Sequence, residues 1–293
     1  MSNEITVAMV QQYKSNVELL LQQRGSKLRG AVMSDSYFGK AAKAVEQIGP
    51  VVAKKKTGRH TDTPLIETPH DARWVHPTDY EWADLIDDQD KLRTLIDPTS
   101  AYAINGAMAL GRSIDDEIIA AGDGTAKTGE DGTTSTVFDT NMQVAVTVGA
   151  GAATGFNIAK LRLAKRLLMA NEVDIDSDML YVLIDAVQHD DMLSETQATS
   201  LDYNTKPVLV DGRITSFMGF NFIHTERLGV DGSGYRKNLF WAKSGMHLGV
   251  WNDITTRISE RDDKSYAVQP YVKGTFGATR IEEGKVGRIL SLI

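Results

Sequence analysis

The spacing of apolar residues divides the chain into a helical start, a long polar excursion, a strut-length helix and a strand-rich remainder. Val10, Tyr13, Val17 and Leu20 recur at helical intervals, predicting an N-terminal helix that "QQRGSKLRG" interrupts. A second pattern begins at Pro98. Asp97 is placed to cap it and Pro98 fits a first helical turn, while Ile104, Met108, Gly111, Ile114, Ile118 and Ala121 keep the repeat until Gly122 stops it. The predicted helix, residues 98–121, is about 36 Å long at 1.5 Å per residue. A third helix is expected over residues 157–171, with Ile158, Leu161, Ala164 and Leu168 on one face. Between residues 137 and 250, "VFDTNMQVAVTV", "MLYVLID", "KPVLVDGRI", "FMGFNFIH", "KNLFWA" and "MHLGVW" read as strands, with a short helix through His189. The last 40 residues alternate as "ITTRISER", turn at "DDKS", and continue through "YAVQPYVKGTFGATRI" and "KVGRILSLI". Helices and strands mix without a regular βαβ order, so the expected class is α+β and a doubly wound nucleotide fold is disfavoured.

Residues 31–82 do not fit this scheme. Pro50, Pro64, Pro69 and Pro77 are four of the seven prolines, and the sequence between them is too long for an ordinary loop and too polar for its own core. It reads as an extended two-stranded arm, which must be disordered alone or lie on another subunit.

Composition narrows the functional classes. The chain has 293 residues, 42% hydrophobic, enough for a sizeable core. With no cysteine, disulfides, thiolate metal sites and a cysteine nucleophile are excluded. The opening residues do not read as a signal peptide, and no apolar run approaches the roughly 20 residues of a membrane helix. The net charge of −7 is uneven, because residues 1–60 hold ten Lys/Arg against four Asp/Glu, leaving −13 on the remainder. An acidic bulk disfavours a sequence-specific DNA reader, and a basic arm on an acidic body suits self-association.

Several short motifs invite chemistry. "GTAKTGED" (124–131) has its glycines at P-loop spacing, but Glu130 and Asp131 stand where lysine and a hydroxyl residue must meet phosphate and magnesium, and a helix precedes it. Asp174, Asp176 and Asp178 have calcium-loop spacing, yet Met179 replaces the required glycine and Asp185 the closing glutamate, so a solvated turn is expected. His70 and His76 flank Trp74 but form no ligand set, and "DGSGY" is a turn rather than a nucleophile elbow. No catalytic, metal or cofactor residue is assigned, and no cofactor is expected. The basic features are a tip at Lys54, Lys55, Lys56 and Arg59, and the helical set Lys160, Arg162, Lys165 and Arg166; either could touch nucleic-acid phosphates. For the tip, pairing with an acidic protein surface is favoured, since residues 79–90 supply six acids. The candidate subunit-contact residues are therefore Lys54, Lys55, Lys56, Arg59, Asp79, Glu81, Asp84, Asp87 and Asp88, with Trp74 and Trp82.

The phrases "VELLLQQRGSKLRGAV", "RHTDTPLIETPHDARWV", "DYEWADLIDDQDKLRTLIDPTSAYA" and "GRSIDDEIIAAGDGTAKTG" resemble the major capsid proteins of tailed bacteriophages, and "ISERDDKSYAVQPYVKGTFGATRIEEGKVGRI" resembles their closing strands. The resemblance implies the Hong Kong 97-type capsid fold. Residues 1–30 would be the N-terminal arm, 31–48 and 83–136 the peripheral domain with a spine helix at about 98–121, and 49–82 the extended loop. Residues 137–250 would form the axial domain, and 251–293 strands returning to the peripheral domain. It further implies a non-enzymatic protein that self-assembles, as pentamers and hexamers, into the icosahedral head shell of a virion. Assembly would take place in the bacterial host cytoplasm, with no membrane. Expected partners are a portal, a separate scaffolding protein, an optional decoration protein and nonspecifically touched double-stranded DNA. Only about 48 residues precede the extended loop, so no large maturation cleavage is expected. Two other readings remain open: an encapsulin-like cellular compartment on the same fold, and a nucleotide-dependent hydrolase using loop 122–136.

Overall fold

A computed structural model describes residues 22–60, 62, 63, 65–87, 99–195, 209, 210 and 213–293. The N-terminal helix pattern, the Asp97–Pro98 start signal and Asp88 lie outside these residues. In chain order the elements are β1 (Met33–Ser36), β2 (Ala42–Ile48), β3 (His70–Val75), β4 (Thr78–Ala83), α1 (Thr99–Asp123), β5 (Ala126–Thr128), β6 (Thr134–Thr136) and β7 (Gln143–Val144). There follow α2 (Ile158–Ala170), β8 (Leu180–Ile184), α3 (Ala186–Ser194), β9 (Leu209–Val210), β10 (Arg213–Ile214), β11 (Ser216–Phe217) and β12 (Phe220–His224). β13 (Arg236–Ala242), β14 (Met246–Arg261), β15 (Ala267–Arg280) and β16 (Val286–Ser291) complete the order.

Two compact units emerge. Of the described residues, the first takes those within 1–26, 79–113 and 252–275, and the second those within 27–78, 114–251 and 276–293. The second contains a six-stranded sheet in the order β11-β12-β8-β13-β16-β7. β8 and β12 run parallel, β13 is antiparallel to both β8 and β16, and β7 is parallel to β16. Helix α2 packs on this sheet because its apolar stripe Leu161, Ala164 and Leu168 is wholly buried with Val182, Phe220, Phe240 and Ile289. Asn157 starts α2 by accepting from Lys160 N at 2.9 Å. Asp185 and Gln188 start α3 with a reciprocal capping box.

A second sheet, β2-β3-β5-β6, also belongs to this unit. β2 and β3 pair antiparallel from Ala42↔Val75 to Ile48↔His70, with a register shift between Lys43 and Val45, and Gly49 N donates to Pro69 O. The two-stranded part of the excursion is thus its base. No described residue between 50 and 69 belongs to a strand or helix. In the first unit, β15 has the outer part of β14 on one edge and β4 on the other. Trp82 of β4 lies against α1 at Gly106, where an added Cβ would fall 2.3 Å from its ring.

Several expectations shift. Helix α1 runs through Gly122 to Asp123; a Cβ at Gly122 would come 2.8 Å from Leu239, so this glycine serves packing, not termination. Ile104 is 49% exposed, and the buried stripe of α1 starts at Ala103 and Gly106 before Leu110, Ile114 and Ile118. "VFDTNMQVAVTV" is mostly turn: Asp139 caps a short 3-10 helix, and only Gln143–Val144 forms a strand. "MHLGVW" and "ITTRISER" are one sixteen-residue strand, β14. "FMGFNFIH" turns at Met218–Gly219, both at positive φ, between β11 and β12.

Candidate intersubunit surfaces

The basic tip is fully presented. Lys54, Lys55, Lys56 and Arg59 are exposed, and around them Val51, Val52 and Leu65 are 51%, 84% and 84% exposed. Trp74, by contrast, is engaged within its own unit. Its Nε1 donates to Gly129 O at 2.8 Å, and its ring covers Gly132, where a Cβ would approach to 2.7 Å. Lys43 Nζ lies 5.5 Å from the ring centroid.

These contacts also settle the geometry of "GTAKTGED". Gly124 follows helix α1, Ala126–Thr128 is β5, and Gly129 at φ +87° opens the turn to β6. Gly129 N donates to the Asp71 carboxylate, so this amide is turned to a carboxylate of its own chain. The element before the loop is a helix and the element after it a strand, the reverse of a phosphate-cradling loop.

In the first unit, Asp79 accepts from Thr275 Oγ1 at 2.6 Å and Glu81 from Tyr271 Oη at 3.0 Å. Asp84 accepts from Leu85 N at 2.8 Å, and Asp87 is exposed. Trp82 is half-buried on Gly106. Asp79 and Glu81 are thus tethered to β15 but remain exposed, which leaves their charge available.

Lys160 departs from the basic set read on its helix. It is completely buried, and its Nζ donates to Thr154 O, Gly155 O and Leu290 O at 2.7, 2.8 and 2.9 Å. Burial lowers its pKa to about 8, with Asp191 opposing the shift. It ties β16 to the turn before α2 and cannot meet a phosphate. Lys165 donates to Met218 O, leaving Arg162 and Arg166, both exposed, as the outward charges of this helix. One sequence signal pointed to Lys160: it stands four residues before Ala164, on the buried side of the 161–164–168 stripe. The Asp174 carboxylate is occupied by Asp176 N, Ser177 N and Ser177 Oγ, the solvated turn expected from the departures at Met179 and Asp185 rather than a calcium loop. Among the described residues, no group of three His, Asp or Glu is placed to hold a metal, and no helix is long and apolar enough to cross a membrane.

Buried arginines went unnoticed in the sequence. Arg280 is fully buried; its Nη1 donates to Gly122 O and Gly124 O at 3.1 and 2.9 Å, where the carbonyl end of α1 favours a cation. Arg73, 5% exposed, donates to Glu283 Oε2 at 2.6 Å. Their partners lie far away in sequence, so no local pattern announces them.

The family model described as phage capsid protein matches residues 5–292. None of the curated proteins compared with the chain matches it. Among solved structures, the capsid of cyanophage Pam1 superposes with a TM-score of 0.73 at 13% identity, covering 98% of this chain and 97% of the other. The capsid of cyanophage P-SCSP1u gives 0.72 at 12% identity over 100% and 97% of the two chains. A Mycobacterium phage Che8 structure gives 0.68 at 15% over 96% and 97%. The α+β, Hong Kong 97-type fold implied by the sequence resemblance is consistent with these superpositions.

Proposed function

The chain belongs to the phage capsid protein family, a structural major capsid protein of the head shell, and from that premise we propose that loop 49–69 is its principal assembly arm. The supporting observation is the exposure of Val51, Val52 and Leu65 beside four exposed cations, a surface that gains burial only from another copy. In this reading the basic tip meets the acidic face carrying Asp79, Glu81, Asp84 and Asp87 on a neighbouring subunit, with Asp88 next in the sequence, and Trp74 and Trp82 hold the two surfaces in shape from behind.

Repetition of this contact builds pentamers and hexamers, and many weak contacts in a closed shell sum to a stable particle. The segments act as N-terminal arm (1–30), extended loop (49–82), peripheral domain (31–48 and 83–136), axial domain (137–250) and closing strands (251–293). The role is structural rather than enzymatic. A separate scaffolding protein, a portal and a decoration protein are the further partners proposed. Contact with packaged DNA is nonspecific and limited by the net charge of −7. Assembly takes place in the bacterial host cytoplasm.

The test is sedimentation velocity with negative-stain electron microscopy on the full chain, with and without scaffold. Wild type should give capsomers or shells. Replacing Lys54, Lys55, Lys56 and Arg59 together by Glu should leave the fold intact and abolish large species. Shell formation by that variant at wild-type concentration would overturn the assignment of the tip.

A further inference from the structure

The corner between β15 and β16, "TRIEEGK", gathers a charge cluster that the shell reading does not use. Arg280 ends β15 with its guanidinium buried against the carbonyl end of α1, and its Nη2 reaches Thr136 O at the end of β6 (3.4 Å). Its Nε lies 3.6 Å from Glu283 Oε1. The other oxygen of Glu283 accepts from Arg73 on β3 at 2.6 Å. Arg73 Nε donates to Gln47 Oε1 on β2 at 3.3 Å, and Gln47 Nε2 returns to the corner at Ile281 O, 2.7 Å away. The circuit closes on itself: β3, Glu283, Ile281, β2, and back to β3.

Two further observations give this circuit weight. First, Arg73 Nη1, Arg280 Nε and Glu283 Oε1 all appear among the few described buried side-chain atoms without a hydrogen-bond partner. One carboxylate thus stands between two buried guanidiniums, and removing it would leave both cations without it. Asp123, the nearby acid of α1, is already held by Lys237 and Arg288. Second, the backbone tie between the β2–β3 pair and the rest of its sheet is short. β3 meets β5 at only two residue pairs, Arg73↔Thr128 and Trp74↔Lys127. Beyond this ladder the pair is tied to its sheet by side chains, through Trp74 and Asp71 at the Gly129 turn and through the Arg73–Glu283 pair at the corner.

We propose that Glu283 is a latch: held between Arg73 and Arg280, it sets the direction in which the β2–β3 pair, and with it loop 49–69, leaves the end of α1. Glu283 and Arg73 are positioning residues. Their consequence for assembly rests on the arm reading above, but their effect on direction does not.

The chain has no cysteine, so two spin labels can be placed without background. Ile48→Cys, 68% exposed at the end of β2, and Asp176→Cys, exposed in the turn before β8, report the direction of the pair in the unassembled full chain. With Glu283 the distance distribution should be single and narrow. Glu283→Gln keeps the shape and removes the charge; the distribution should broaden or shift. Amide exchange in β2 and β3 should rise on the order of tenfold while β13 and β16 keep their protection. If Glu283→Gln does not fold, Arg73→Lys decides, since it keeps the charge and loses the forked donor. Unchanged distances in a folded Glu283→Gln, or in Arg73→Lys where the first fails to fold, overturn the latch. Broadened distances with normal shells would keep the latch and remove the arm's role in assembly.

Discussion

Loop 49–69 and the six-stranded sheet carry the same kinds of apolar side chain in opposite circumstances. In the sheet, Val182, Leu183 and Ile184 are buried to within 1% of completely. In the loop, Val52 and Leu65 are each 84% exposed. Burying one such side chain is worth about 1.5–3 kcal/mol. The sheet collects this on folding; in the shell reading, the loop collects it on meeting another copy. The polar groups divide in the same way. Lys160 in the sheet region has three carbonyl partners, while the lysines of the tip face solvent. A lysine is therefore informative about assembly only once its burial is known.

The contrast can be broken by stability measurements on the unassembled chain. The largest effect should come from Phe240→Ala, which empties a fully buried site edge-on to Phe220; denaturant unfolding should register a loss of about 3–5 kcal/mol. Next comes Lys160→Met, which strands three carbonyls and should cost about 2 kcal/mol. This loss should depend on pH. Because the folded pKa is lowered to about 8 from 10.5, the unfolded chain binds more protons between those values. The wild type should therefore gain stability relative to Lys160→Met as pH rises through that window; a constant gap would show that the ammonium is not desolvated. The smallest effect should be that of Leu65→Ser, within about 0.5 kcal/mol in the free chain. A loss as large as that of Phe240→Ala would mean the loop is already packed before assembly, and the contrast would fail.

Periodicity exposed the elements that own a continuous apolar face. Helix α2 is visible in Leu161, Ala164 and Leu168, and β8, β13 and β15 in their apolar runs. It misled where alternation had another cause. In residues 137–148 the buried positions Phe138, Met142 and Val144 are spaced by a capped turn around Asp139, which mimics a strand. It also missed β14 as one element, because the strand is buried at Met246–Val250 and exposed through most of its outer half, so its pattern changes midway. Of the surface residues singled out, the tip was legible because clustered lysines are rarely buried. The Arg73–Glu283–Arg280 cluster was not, since Arg73 stands about 200 positions from the other two and Arg280 depends on carbonyls that no side-chain pattern records.

The place of β16 has a consequence for synthesis. Residues 286–291 fill the gap between β13 and β7, so β7, made some 140 residues earlier, has no partner until they arrive. Such distant pairing is slow to form. A chain growing on the ribosome cannot close this sheet until its residues 286–291 have emerged. A prematurely ended product would lack the closed sheet, and the order of translation itself would act as a filter against defective subunits entering a particle.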